Sequence, residues 1–225
     1  MKIASLKPTQ WFPGQNVSVK PHLRGWIHLV AAPLSLAASI VLTCLAPTGA
    51  TKGGSAIYLA ASLILFGISA LYHRFYWSPR WEVVWNRLDH SNIFLLIAGT
   101  YTPLSVAILP HDQAVTILSI VWGGALLGIL LNLFWPTAPR WLATLIYVAL
   151  GWVALWYLPQ FWSLGGAVIV WLLLTGGILY TIGAVVYATK KPDLSPRWFG
   201  FHEIFHLCTV LAWACHCVAV YLAVL

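Results

Sequence analysis

Residues 196–225 read PRWFGFHEIFHLCTVLAWACHCVAVYLAVL. The stretch is almost wholly apolar and exceeds the roughly 20 residues a helix needs to cross a bilayer. Its first turns carry His202 and His206, four residues apart and therefore on one helix face. Two imidazoles at that spacing are how a helix grips a metal ion. An apolar helix carries ionisable residues at a cost, so both histidines are functional candidates.

Working outward, six further stretches have the same character. The seven expected spans are 25–46, 55–77, 86–109, 113–135, 139–158, 162–189 and 196–224. Composition agrees. Of 225 residues, 60% are apolar and 8% charged, and the mean hydropathy is +0.84. A soluble domain carries about 25% charged residues, so this chain lacks the polar surface to face water. The expected fold is an all-α integral membrane bundle of seven helices, one domain over 1–225 with a short polar segment 1–24. That segment has no apolar run or small-residue cleavage site, so no signal peptide is expected and the first helix directs insertion.

The breaks between spans carry turn residues. Pro47-Thr48-Gly49 and Gly53-Gly54 are read as ending the first hairpin, and Ser78-Pro79 as ending the second helix. Pro110-His111-Asp112 and Pro136-Thr137-Ala138-Pro139 follow, and Pro159 is read as closing the fifth helix. Ser195-Pro196 reads as the N-cap and first residue of the seventh.

Charge sets the expected orientation. Lys2, Lys7, Lys20, Arg24, Arg74, Arg80, Arg87, Arg140, Lys190, Lys191 and Arg197 fall on one side of this topology, and Lys52 alone on the other. The positive-inside rule then places the N-terminus in the cytoplasm and the C-terminus outside. The net charge of +7 is thereby a topology signal and a contact with anionic lipids, and nucleic acid is not expected as a partner. Cys44, Cys208, Cys215 and Cys217 lie in or at the ends of apolar spans and read as packing residues. Trp77, Trp81, Trp85, Trp135, Trp141, Trp162 and Trp198 sit near helix ends, as an interfacial belt would. The pairs Gly123-Gly124, Gly165-Gly166 and Gly176-Gly177 read as sites of close helix packing.

With the helices oriented, the intramembrane polar residues converge. The second span ends with Ser69 and His73 on one face, the third begins near Asp89, and the seventh begins near His202 and His206. All reach a similar depth at the cytoplasmic end, the last two roughly 9–15 Å below the start expected for their helix. Three imidazoles and a carboxylate suit zinc with an open or water-filled fourth position. Asp89 has a plainer alternative, pairing with Arg87 or Arg74. Ser69 has one too, bonding the carbonyl four residues earlier. His22 and His111 are expected in solvated loops, and His28 chiefly in packing near the same cavity. His90 points about 100° away from Asp89. His216 lies about 15 Å beyond His206 and reads as an interhelical hydrogen-bonding residue.

At these residues the chain resembles the hemolysin III family, bacterial relatives of the progestin and adipoQ receptors. The resemblance rests on Ser69-Ala70-Leu71-Tyr72-His73 and on Asp89-His90 with Leu95-Leu96-Ile97-Ala98-Gly99-Thr100-Tyr101-Thr102-Pro103. It rests also on Phe199-Gly200-Phe201-His202-Glu203-Ile204-Phe205-His206 with His216. The same order of motifs runs through the wider superfamily that includes alkaline ceramidases. The resemblance implies seven helices with a cytoplasmic N-terminus and zinc on His73, His202 and His206, with Asp89 reaching zinc through a water. It also implies a multi-pass protein of a bacterial inner membrane. One departure stands out: many members have an acid shortly before the first-helix histidine, and Leu23-Arg24-Gly25-Trp26-Ile27-His28 has none.

The expected function is zinc-dependent hydrolysis of a lipid amide or ester. Asp89 would act as general base and Ser69 would hydrogen-bond the oxyanion or the aspartate, with membrane lipid as the acyl-chain partner. The alternative is a non-enzymatic receptor or sensor stapled by structural zinc. A cytolytic role ranks below both, because exported pore formers are soluble and this chain is not.

Overall fold

The structure is a computed structural model that describes residues 20–135, 139–195 and 197–225. Lys2, Lys7, the rest of the first 19 residues, Pro136-Thr137-Ala138, Pro196 and the side chain of Arg140 lie outside that description. Among the described residues, seven helical segments are long and apolar enough to cross a membrane. They are α1 (Trp26–Leu45), α2 (Gly49–Arg74), α3 (Pro79–Ile108), α4 (His111–Phe134), a fifth span Trp141–Gly165 that opens with α5 (Arg140–Gly151), α6 (Ala167–Thr189) and α7 (Phe201–Val224). Consecutive helices pack as neighbours, α7 returns to α1, and α3 also touches α5 and α7. The result is a closed ring with α3 as its most buried member.

Most boundaries agree with the sequence, and five differ for visible reasons. The helix α2 begins at Gly49, six residues early, because Thr48 and Thr51 form a reciprocal cap. The Thr51 amide donates to Thr48 Oγ1 at 3.1 Å, and the Thr48 amide donates to Thr51 Oγ1 at 3.1 Å. Gly53-Gly54 therefore lies inside a helix and ends nothing. A Cβ on Gly54 would sit 3.0 Å from Pro103 Cα, so the bare backbone lets α2 meet α3. The helix α3 starts at Pro79, seven residues early, with proline in its first turn and Glu82 beside the positive end of its dipole.

The fifth helix does not close at Pro159. It loosens into a 3-10 stretch at Trp152–Tyr157, takes Pro159 into the turn Leu158–Gln160 and runs on through a wider π turn to Gly165. Tyr101 of α3 repairs this break. Its hydroxyl donates to the Gly151 carbonyl at 2.7 Å and accepts from the Ala154 amide at 2.7 Å. The chain then turns at Gly166 with φ +88°, a backbone that favours glycine, so α6 starts at 167 rather than 162.

The seventh helix begins at Phe201, and Ser195 does not cap it. Ser195 and Phe199 exchange backbone hydrogen bonds across a tight turn, which holds this stretch away from helical geometry. The helix is started instead by Glu203, whose Oε2 accepts from the Gly200 amide at 2.9 Å, and by Asp193, which accepts from the Phe201 amide at 3.1 Å. His202 and His206 thus lie about 1.5 and 7.5 Å along α7, not 9–15 Å.

The glycine pairs divide. Gly124 faces Leu150, Gly176 faces His216 and Gly177 faces Trp152, as close packing requires, but Gly123 faces open space and Gly166 serves the turn. Of the expected belt, Trp81, Trp135, Trp141, Trp162 and Trp198 are exposed, while Trp77 and Trp85 pack on each other at 4.6 Å.

Candidate metal site

Three elements bring one cluster together. His73 is the penultimate residue of α2, Asp89 lies in the third turn of α3, and His202 and His206 occupy the first two turns of α7. The side chains of His73, His202 and His206 each offer a nitrogen, and these atoms all lie within 4.8 Å of one another. His73 Nε2 is 3.2 Å from His202 Nε2 and 3.3 Å from Asp89 Oδ2. Ser69, one helical turn before His73, is buried and lines the same cavity as Asp89.

The donor set fits a metal. A tetrahedral zinc with bonds of about 2.1 Å holds its nitrogen ligands roughly 3.4 Å apart. His73 and His202 already stand at that spacing, and all three imidazoles converge on one point. Asp89 falls outside the mutual 4.8 Å group, so it borders the site without completing the inner set. The plainer partners considered for it are engaged elsewhere. Arg74 lies over the Trp26 ring at 4.6 Å, and Arg87 donates to the Leu133 carbonyl at 3.2 Å.

The remaining histidines sort as follows. His90 bonds the Asn86 carbonyl and the Tyr187 hydroxyl, each at 2.8 Å, and stays out of the cluster. His216 Nε2 meets the Leu173 carbonyl at 3.2 Å, linking α7 to α6 as expected. His22 is exposed and packs against Trp198 with its ring tilted; His111 is exposed but opens α4 rather than lying in a loop. His28 stands closer than a packing residue needs to. Its ring lies parallel to His206 at 3.9 Å, and it is 3% exposed.

The sequence reading missed Glu203. It is 1% exposed and forms an ion pair through Oε1 with Arg24 Nε. A lone acid between two histidines on an apolar helix, with an arginine opening the first helix, was a signal available for it. Around this pair the stretch 20–23 is tied down. Lys20 Nζ donates to the Tyr72 and Phe75 carbonyls at 3.0 and 2.7 Å, closing the carbonyl end of α2. The His22 and Leu23 amides donate to the Arg197 and Trp198 carbonyls. Burial holds the Lys20 ammonium below the usual lysine range.

A cavity opens from the cluster. Asp89, Ser69, His28 and His206 line its polar end, and it runs between α3, the fifth span, α6 and α7 to Leu104 and Phe161. The 15 residues from Asp89 to Leu104 along α3 span about 22 Å. A lipid tail occupies half of the roughly 30 Å hydrocarbon core, so one tail fits that length.

Comparisons with known proteins point one way. Residues 17–217 match the family described as Haemolysin-III related. The chain is 34% identical over 188 residues to Hemolysin-3 of Bacillus cereus, covering 80% of each chain. It is 36% identical over 147 residues to a Hemolysin-3 homolog of Bacillus subtilis (strain 168), covering 64% of this chain and 68% of that one. No solved structure matches it.

Proposed function

The chain belongs to the Haemolysin-III related family, a family of multi-pass integral membrane proteins, and from that premise we propose that it is a zinc-dependent hydrolase of lipid amides or esters. His73, His202 and His206 would hold the metal. One observation carries the reading: the Asp89 carboxylate stands beside three clustered imidazoles at the mouth of an apolar cavity one lipid tail long.

Zinc, when bound by neutral imidazoles, supplies Lewis acidity and lowers the pKa of a coordinated water to about 7. The chain's own residues supply the rest. Asp89 Oδ2, within reach of the cluster, is the proton acceptor for water attacking a carbonyl. Ser69, which lines the cavity with Asp89, would hydrogen-bond the oxyanion or the aspartate. The apolar cavity holds the acyl chain and keeps bulk water from the carbonyl. The bacterial relatives favour a plasma membrane, and the eleven-to-one split of basic residues favours a cytoplasmic N-terminus and an active site in the inner leaflet.

The test offers short- and long-chain lipid amides and esters to detergent-solubilised protein and measures released fatty acid. Asp89→Asn is expected to keep its zinc and lose about 10²–10⁴ in rate. If wild type releases nothing from any substrate while chelator lowers its melting temperature, the metal is a structural staple between α2 and α7 and the protein a sensor or receptor.

A further inference from the structure

His28 is a buried polar group at the cavity's polar end to which the proposed hydrolysis gives no role. Its ring is clamped, stacked on His206 at 3.9 Å with 2° between planes and edged by Phe66 at 5.2 Å. Neither ring nitrogen has a partner of hydrogen-bond geometry among the described residues. A neutral imidazole offers one N–H donor and one acceptor nitrogen, so the acceptor here stands without a donor. The residue lines the polar end of the cavity together with Asp89 and Ser69. A buried polar atom with no partner is costly, and a clamped ring cannot swing away to find one.

We infer that His28 is a specificity-determining residue: it accepts a hydrogen bond from a hydroxyl or amide N–H of the lipid bound at the metal site, next to the carbonyl that is cleaved. The inference rests on the lipid-hydrolase reading. It adds that the site favours lipids carrying such a donor over otherwise similar lipids that lack one. The stack on His206 supports this placement, because it holds the acceptor beside the metal cluster rather than deep among the tails.

Three probes test it: N-methyl dodecanamide, which has one N–H; N,N-dimethyl dodecanamide, which has no donor; and the ethylene glycol monoester of dodecanoic acid, which has one O–H. Binding to the zinc-loaded protein in detergent is measured by calorimetry. Wild type is expected to favour one or both donor-bearing probes roughly 10- to 100-fold over the dimethyl amide. The favoured probe identifies the donor as nitrogen or oxygen. His28→Phe keeps the aromatic stack and removes the acceptor; its preference should collapse to within about threefold with zinc content unchanged. His28→Gln should restore part of it, and His28→Leu replaces the phenylalanine variant if that one does not fold.

A preference that persists in His28→Phe overturns the inference, as does wild type showing none. Loss of zinc in His28→Phe, or an altered spectrum of the cobalt-substituted protein, also overturns it by making His28 a ligand. Fatty-acid release is read in parallel. Preference governed by His28 without release sinks the hydrolase and leaves the contact standing. Release without preference sinks only the contact. No binding of any probe by wild type sinks both.

Discussion

At the scale of single residues, the end of the bundle that holds the histidines is organised by two kinds of buried polar group. His73, His202 and His206 gather three imidazole donors within 4.8 Å of one another, and Glu203 forms a buried ion pair with its own arginine. The two kinds fail differently when mutated. Replacing His202 and His206 together with Ala should abolish bound metal, seen as loss of about one zinc per chain by elemental analysis; undiminished zinc would refute the site. Glu203→Ala strands the Arg24 guanidinium and frees the Gly200 amide. Removing one partner of a buried pair costs about 3–5 kcal/mol, and since Arg24 is 20% exposed the low end is expected. A double-mutant cycle with Arg24→Ala, read by thermal unfolding, should return a favourable coupling, and strictly additive effects would remove the pair from the account.

At the scale of elements, the fifth span is the weak member. Its hydrogen bonding changes from α to 3-10 to π over Arg140–Gly165, and a freed carbonyl and amide meet on one Tyr101 hydroxyl. With no water in the bilayer core, such backbone groups must find partners inside the protein. Tyr101→Phe leaves both unpaired and should destabilise by about 1–3 kcal/mol, visible as a lower melting temperature in detergent. A variant as stable as wild type would mean the break is satisfied some other way. The same elements show why sequence reading misplaced ends and not helices. Twenty apolar residues announce a span, but Thr48 with Thr51, or Glu203 with the Gly200 amide, decide where its hydrogen bonding starts. Ser195-Pro196 has the composition of a helix start and is overruled by pairing between Ser195 and Phe199.

At the scale of the whole molecule, α2, α3 and α7 meet at one end of the ring, and a metal there would join residues 129 apart in sequence. A ligand that binds only the folded state at 100 times its dissociation constant stabilises by about 2.7 kcal/mol. Chelator should therefore lower the melting temperature of wild type and leave the metal-free His202→Ala/His206→Ala protein unmoved; equal shifts in both would uncouple the metal from the fold. A reporter fused after Leu225 should give a non-cytoplasmic signal, and a cytoplasmic one would reverse the proposed orientation.

The sequence by itself determined the seven spans and which residues share a depth. Both follow from local quantities: the length of an apolar run, the period of a helix and the alternation of direction from one span to the next. That is why Ser69, His73, Asp89, His202 and His206 were legible as one set. Only the tertiary structure decided how that set closes. Lateral order around the ring and the rotation of each helix about its axis depend on packing between distant segments, which no local period encodes. Those two freedoms turned His28 onto His206, gave Glu203 to Arg24, aimed Tyr101 at the break in the fifth span and left a cavity running from the metal cluster into the bundle.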